Sequence, residues 1–124
     1  MSNARNIADI TNGDDAPVYA CRAWVNFDGT TNTAGYCTIR DSGNVSTVAD
    51  NGTGNYTVNF TTAMPDVNYS AIGMSSDLAY GSVTYIEGTV ANYTASSFRL
   101  LVRLNYSATP GLGDPPIVSI AVFR

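Results

Sequence analysis

The segment 55–61 alternates apolar and polar residues without a break, and this pattern constrains the fold more than any other feature of the chain. Tyr56, Val58 and Phe60 fall on one side of an extended backbone, and asparagines and threonines fall on the other. A period of two, rich in aromatic and β-branched residues, is typical of a strand that is buried on one face. Turn residues precede the segment and Pro65 follows it, so the strand has well-defined ends.

The pattern recurs along the chain and predicts an all-β protein. No segment has the length and apolar period of a helix that could connect parallel strands, and lysine and glutamate, on which surface helices depend, are almost absent. We therefore expect an antiparallel β-sandwich or jelly-roll-like domain over residues 17–124, preceded by an N-terminal arm at 1–16. The eight predicted strands are 18–27, 36–40, 45–49, 55–61, 69–74, 83–90, 98–106 and 117–123.

The balance of charge and hydropathy argues against two classes of partner. A net charge of −4, a pI near 4.3 and arginines that form no run do not suit a nucleic acid, whose phosphates attract clustered cations. No apolar stretch approaches the length of a membrane span, so we expect no membrane insertion. The N-terminus lacks the apolar core of a signal peptide, and we expect the protein to stay where it is made or to leave by lysis.

The residues offer little support for catalysis or metal binding. The chain contains no histidine to act as a general base near neutral pH, and its aspartates lie mostly at turns, where they commonly bond their own backbone. Their spacing matches no calcium-binding loop, and two cysteines without histidine do not complete a usual zinc site. We therefore expect no enzyme activity, no cofactor and no metal. Cys21 and Cys37 are either buried thiols or, if the hairpin brings them into register, a cross-strand disulfide.

Apolar residues on the outward side of predicted strands indicate an interface. Trp24 lies beside an arginine, Leu101 lies between two, and the last strand carries a second apolar face at Val118, Ile120 and Val122. Exposed apolar surface usually marks a contact with another protein, and we expect a homo-oligomer, specifically a trimer. The alternative is that these side chains form a second layer of the core.

The direction of the strands predicts where the loops lie. If each strand reverses at its connection, the loops 28–35, 50–54, 75–82 and 107–116 lie at the end of the domain far from the arm. Binding residues concentrate on loops that a rigid scaffold carries, so Tyr80, Asp77, Asn32 and Asp114 are predicted to form a distal receptor-contact surface. The alternative is that these loops are merely solvated.

Three stretches of the chain resemble a known family. Residues 16–30 (APVYACRAWVNFDGT), 39–46 (IRDSGNVS) and 50–69 resemble a module that recurs in structural proteins of tailed bacteriophages, notably marine phages and cyanophages. The resemblance covers residues 16–70 well and the C-terminal half loosely, and residues 4–9 (ARNIAD) look like a short leader of phage fibre proteins. It implies a virion protein that is assembled in the host cytoplasm.

The function that the resemblance implies is a tail-fibre tip that attaches to a glycan or a protein on the host surface. The alternative is a cement or decoration protein of the capsid or tail. In either role the arm 1–16 is predicted to contact other virion proteins, with Ile7 and Ile10 as its apolar anchoring residues. An enzyme acting on surface polysaccharide is disfavoured, because no pair of carboxylates is evidently held at working distance.

Overall fold

The computed structural model describes residues 20–77, 81–86, 92–105 and 111–124, with backbone positions alone for 81–86 and 105. These residues form an all-β structure without an α-helix, which confirms the all-β part of the predicted fold class. The nine strands in this part of the chain are β1 (Cys21–Thr33), β2 (Tyr36–Gly43), β3 (Val45–Gly52), β4 (Asn55–Phe60), β5 (Ser70–Ser76), β6 (Gly81–Ile86), β7 (Ser97–Asn105), β8 (Gly111–Leu112) and β9 (Ile117–Phe123).

The strands pair antiparallel in a single curled sheet. Their order across the sheet is β5, β9, β1, β2, β3, β4, β7 and β6, and the short β8 pairs with β7. β1 to β4 form consecutive hairpins, whereas the last strand, β9, lies between β5 and β1. The sheet curls into a half-barrel, which brings Cα atoms of the outermost strands β5 and β6 within 8 Å of each other.

The hydrophobic core fills the inner face of the half-barrel. Alternate residues supply it, as the pattern predicts, and Val25, Phe27, Tyr56, Phe98 and Leu100 are all less than 2% exposed. Phe27 and Tyr56 meet edge to face with ring centroids 5.1 Å apart, a geometry that stabilises aromatic pairs by about 0.5–1.5 kcal/mol beyond burial. Apart from the tyrosine hydroxyls, the described core contains no buried polar or charged side chain, so burial of apolar surface dominates its stability.

β1 continues through residues that the sequence pattern assigns to the loop 28–35. It runs to Thr33 because a distant partner holds its turn-like residues in place: the Gly29 N–H donates to the Pro115 carbonyl at 3.0 Å. Shifts in the register between β1 and β2 mark irregularities of the kind that β-bulges produce, which let the strand absorb the irregular stretch. The tight turn is confined to Ala34 and Gly35, both with positive φ.

Val118, Ile120 and Val122 face the core, and the prediction that they face outward into an oligomer interface is wrong. Their side chains are 0%, 4% and 1% exposed. β9 lies between two partner strands, and its register places these residues opposite alternate inner-face residues of β1. The alternative stated above, that they belong to the core, therefore holds. The outer face of β9 carries Ile117, Ser119, Ala121 and Phe123 instead.

Both cysteines are free thiols. Cys21 is exposed at the start of β1 and lies opposite Phe123 of β9. Cys37 is buried on β2, and the residue after it, Thr38, lies opposite Asp28 of β1. The hairpin therefore does not bring the two into register, and the disulfide alternative is excluded. Burial, reinforced by nearby carboxylates, raises the pKa of Cys37 to about 12.

Candidate functional site

The outer face of the sheet carries an apolar groove over β5, β9 and β1, which we call the outer groove. Its volume is about 500 Å³. Three large side chains border it and stay exposed to solvent: Met74 at 78%, Ile72 at 60% and Trp24 at 41%. Large apolar side chains grouped in this way on an outer sheet face are typical of a contact surface for protein.

Strand register builds the outer groove from residues that are far apart in the sequence. Ile72 of β5 lies opposite Ala121 of β9, and Ala121 in turn lies opposite Trp24 of β1. The small Ala121 therefore leaves a trough between two large side chains. One row along, Asn26 Nδ2 donates to Ser119 Oγ at 2.8 Å, so two polar side chains that also line the groove are already joined to each other.

The Trp24 indole owes its position to a glycine. It lies against Gly43, its partner on β2, and a Cβ at position 43 would stand 2.5 Å from the indole Nε1. A larger residue at position 43 would require the ring to shift, so this glycine lets Trp24 lie where it borders the groove. Leu101, predicted to share an interface with Trp24, is half-buried on β7, and the structure does not bring the two together.

A second recess, which we call the polar cleft, lies on the outer face of β3, β4 and β7. Its volume is about 320 Å³. Hydrogen bonds join its strands: Asn51 Nδ2 donates to Thr57 Oγ1 at 2.8 Å, and Arg99 Nε donates to Asn55 Oδ1 at 2.8 Å. The described lining residues are Asn51, Thr57, Asn92, Thr94, Ser97 and Arg99.

A hydrogen-bond network ties together loops at one end of the half-barrel. The Asp114 carboxylate accepts bonds from the Gly54 N–H at 2.6 Å and from the Tyr56 hydroxyl at 2.8 Å. The same hydroxyl lies 3.2 Å from the Gly29 carbonyl. Burial, together with the Asp114 carboxylate, raises the pKa of Tyr56 well above its usual value. Asp114, predicted from the sequence as a receptor contact, is thus held by internal partners.

The structure brings together some of the predicted distal residues. Asn32 is exposed and its Nδ2 donates to Asp50 Oδ2 at 2.7 Å, while the Asp50 N–H donates to the Gly35 carbonyl at 2.9 Å. The tips of the β1–β2 and β3–β4 hairpins therefore lie at the same end as Asp114. Asp77 is half-buried just after β5. Three further predicted residues, Tyr80 at the distal surface and Ile7 and Ile10 in the arm, lie outside the described residues.

Ile72 and Met74, the two most exposed large side chains of the outer groove, were not predicted from the sequence. Gly73 between them weakened the strand pattern, although their spacing of two residues was a signal that both occupy one face. Whether that face is exposed depends on the partners of β5, which the sequence pattern does not reveal. The sequence did not predict the polar cleft for a related reason: its asparagines and threonines match the pattern of an ordinary strand face that is exposed to solvent.

The described side chains contain no group of three or more His, Cys, Asp and Glu that could hold a metal ion. No helix long and apolar enough to cross a membrane is found in the described ranges. Comparison with protein-family models, with curated proteins and with solved structures finds no match to this chain.

Proposed function

We propose that this chain is a structural module of a bacteriophage virion, which works as a homo-oligomer at the receptor-binding tip of a tail fibre. The phage assignment is supported by the resemblance of residues 16–70 to modules of phage structural proteins. The oligomer is supported by one structural observation, the outer groove with its three exposed apolar side chains.

The charge of the chain favours contact between copies through this groove. Each copy carries a net charge of −4, so two copies repel each other overall. The described residues that line the outer groove carry no charge. Contact at this place would bury apolar surface, at about 25 cal/mol per Å², without bringing like charges together. Trp24, Ile72 and Met74 take the place of the interface residues first expected on β9.

In the proposed oligomer the loops held by the bonds of Asp114, Tyr56 and Asn32 form the end of the domain that meets the host. The bonds of Asp114, Tyr56 and Asn32 hold hairpin tips in fixed positions, which suits a recognition surface for a glycan or a protein. Tyr80 and Asp77 would complete this surface, and the arm 1–16 would hold the module to other virion proteins. The sandwich or jelly-roll-like arrangement stays a proposal, since the described strands form one curled sheet whose outermost strands, β5 and β6, approach each other.

Gold-labelled antibody against the chain, imaged on purified particles of the phage that encodes it, tests the proposal. We expect label at the tips of the tail fibres, and quantitative mass spectrometry of the same particles should give a low copy number. Label spread over the capsid, with a high copy number, would favour the alternative of a decoration protein. Particles that contain none of the chain would refute a virion role altogether.

A further inference from the structure

We propose that the outer groove of each copy holds the N-terminal arm of a second copy, with Ile7 and Ile10 as the side chains that enter it. The inference rests on the proposed function, because it names the segment that makes the contact between copies. The virion protein that the arm 1–16 contacts is then a second copy of this chain.

The shape and chemistry of the groove suit an aliphatic occupant. Small side chains of β9 form its floor, with Trp24 as one wall and Ile72 and Met74 as the other. Two polar side chains also line it, and they bond to each other, since Asn26 Nδ2 donates to Ser119 Oγ at 2.8 Å. An apolar side chain that enters the groove therefore leaves neither of them without a partner, and it covers walls that are otherwise exposed to solvent.

A ring of three copies needs two different surfaces on each chain. In such a ring one patch of each copy contacts a different patch of the next copy. The groove supplies one of these patches. The exposed large apolar side chains that the structure describes outside the groove are distributed over four elements, at Tyr36 on β2, Leu112 on β8, Ile117 on β9 and Val67 before β5. The arm offers two aliphatic side chains close together, and it is our candidate for the second patch.

The sequence of the arm fits the groove in spacing and charge. Ile7 and Ile10 stand three positions apart, and a spacing of three places two side chains on one face of a helical turn. Both can therefore enter the groove together. Asp9 is the one charged residue between Arg5 and Asp14, and at this spacing it falls on a different face of such a turn, where it stays in solvent.

The start of β1 favours a second copy over the chain's own groove. Cys21 lies opposite Phe123 at one end of β9, and β1 then runs along the groove past Trp24. A chain that continues the line of β1 beyond Cys21 therefore leads away from its own groove. Ile10 stands eleven positions before Cys21, so an extended chain can place it up to about 36 Å away. A domain of this size has a radius of gyration of about 13 Å, so the arm can reach a neighbouring copy.

Complementation between two variants of the intact chain tests the proposal by light scattering. Met74→Asp blocks the groove and leaves the arm unaltered, whereas Ile7→Asp combined with Ile10→Asp blocks the arm and leaves the groove unaltered. We expect 13.1 kDa for each variant alone, and twice that mass for their equimolar mixture at high micromolar concentration, because one intact arm then meets one intact groove. The matched control is Asn6→Asp combined with Asn12→Asp, which adds the same two charges to the arm and should keep the mass of the unaltered chain.

Trp24 is the single tryptophan of the chain, and its fluorescence reports whether the groove is occupied. Blocking the arm should shift its emission to longer wavelength, because the wall that the ring forms then faces solvent. If Met74→Asp does not fold, Ile72→Asp is a second variant that places a charge in the groove, and it should complement the arm variant in the same way.

Three outcomes would overturn the proposal. They are an arm variant that keeps the mass of the unaltered chain, a mixture of the two variants that stays at 13.1 kDa, and a shift of the Trp24 emission without a change of mass, which would place the arm on its own chain. The test also separates this inference from the proposed function. An unaltered chain of 13.1 kDa would refute the oligomer itself, whereas an oligomer that survives the arm variant would refute only the exchange of arms.

Discussion

The Tyr56 hydroxyl should contribute strongly to stability, because it is the buried end of the network that ties the loops. In Tyr56→Phe the ring stays and keeps its contact with Phe27, so the change removes the hydroxyl and little else. The Asp114 carboxylate then keeps the Gly54 N–H but loses a donor at 2.8 Å. A hydrogen bond to a charged group contributes about 1.5–3 kcal/mol, and since Asp114 is partly exposed we expect about 2 kcal/mol.

Thermal unfolding followed by far-UV circular dichroism at pH 7 measures this loss. For a chain of this size about 2 kcal/mol corresponds to a fall in Tm of roughly 6–12 °C. Tyr36→Phe is the matched control, since Tyr36 is 48% exposed on β2, and its Tm should change little. Combining Tyr56→Phe with Asp114→Asn should cost less than the sum of the two single changes, because both break the same bond. A Tm of Tyr56→Phe within 2 °C of that of Tyr36→Phe would refute this reasoning.

Three further predictions concern packing and ionisation. Gly43→Ala should force the Trp24 indole out of place and change the tryptophan fluorescence, at a cost of less than about 1 kcal/mol because the exposed ring can move toward solvent; an unchanged spectrum would contradict the packing described. Alkaline pH should destabilise the chain, because burial raises the pKa of Cys37 from 9.0 to about 12 and also raises those of Tyr56 and Tyr69. The folded state favours the protonated forms. The concentration of guanidinium chloride that unfolds half of the protein should therefore be steady below pH 9.0 and fall above it; a steady value up to pH 12 would count against this. The Arg124 guanidinium holds the pKa of Asp66 at about 2, so Arg124→Gln should raise it toward 3.8 in an NMR titration of the carboxyl carbon, and no rise would show that the ion pair is absent in solution.

The period-two pattern predicts strands and faces well where one side is polar. Tyr56, Val58 and Phe60 on β4, and Phe98 and Leu100 on β7, point inward as expected. The pattern fails on β9, whose residues are nearly all apolar. There the inward face is chosen by the pairing with β1 and β5, and not by the strand's own composition.

The candidate sites depend on contacts between distant parts of the chain, and this is why the sequence alone does not reveal them. The outer groove needs Ile72, Ala121 and Trp24 in one row, which follows only when the last strand inserts between β5 and β1. Likewise, the extension of β1 past Asp28 depends on the bond from Gly29 to Pro115. Local turn preferences at Asp28–Gly29 indicated a loop, and the long-range partner overrides them.

Light scattering at micromolar concentration measures the molar mass of the chain in solution. This measurement tests most directly the claim that the outer groove joins copies of the chain. We predict a mass three times the 13.1 kDa of one chain, and 13.1 kDa for Met74→Asp, which places a charge in the groove. Val67→Asp, at an exposed apolar residue outside the described groove lining, should keep the mass of the unaltered chain. A mass of 13.1 kDa for the unaltered chain, or an oligomer that Met74→Asp leaves intact, would contradict the account.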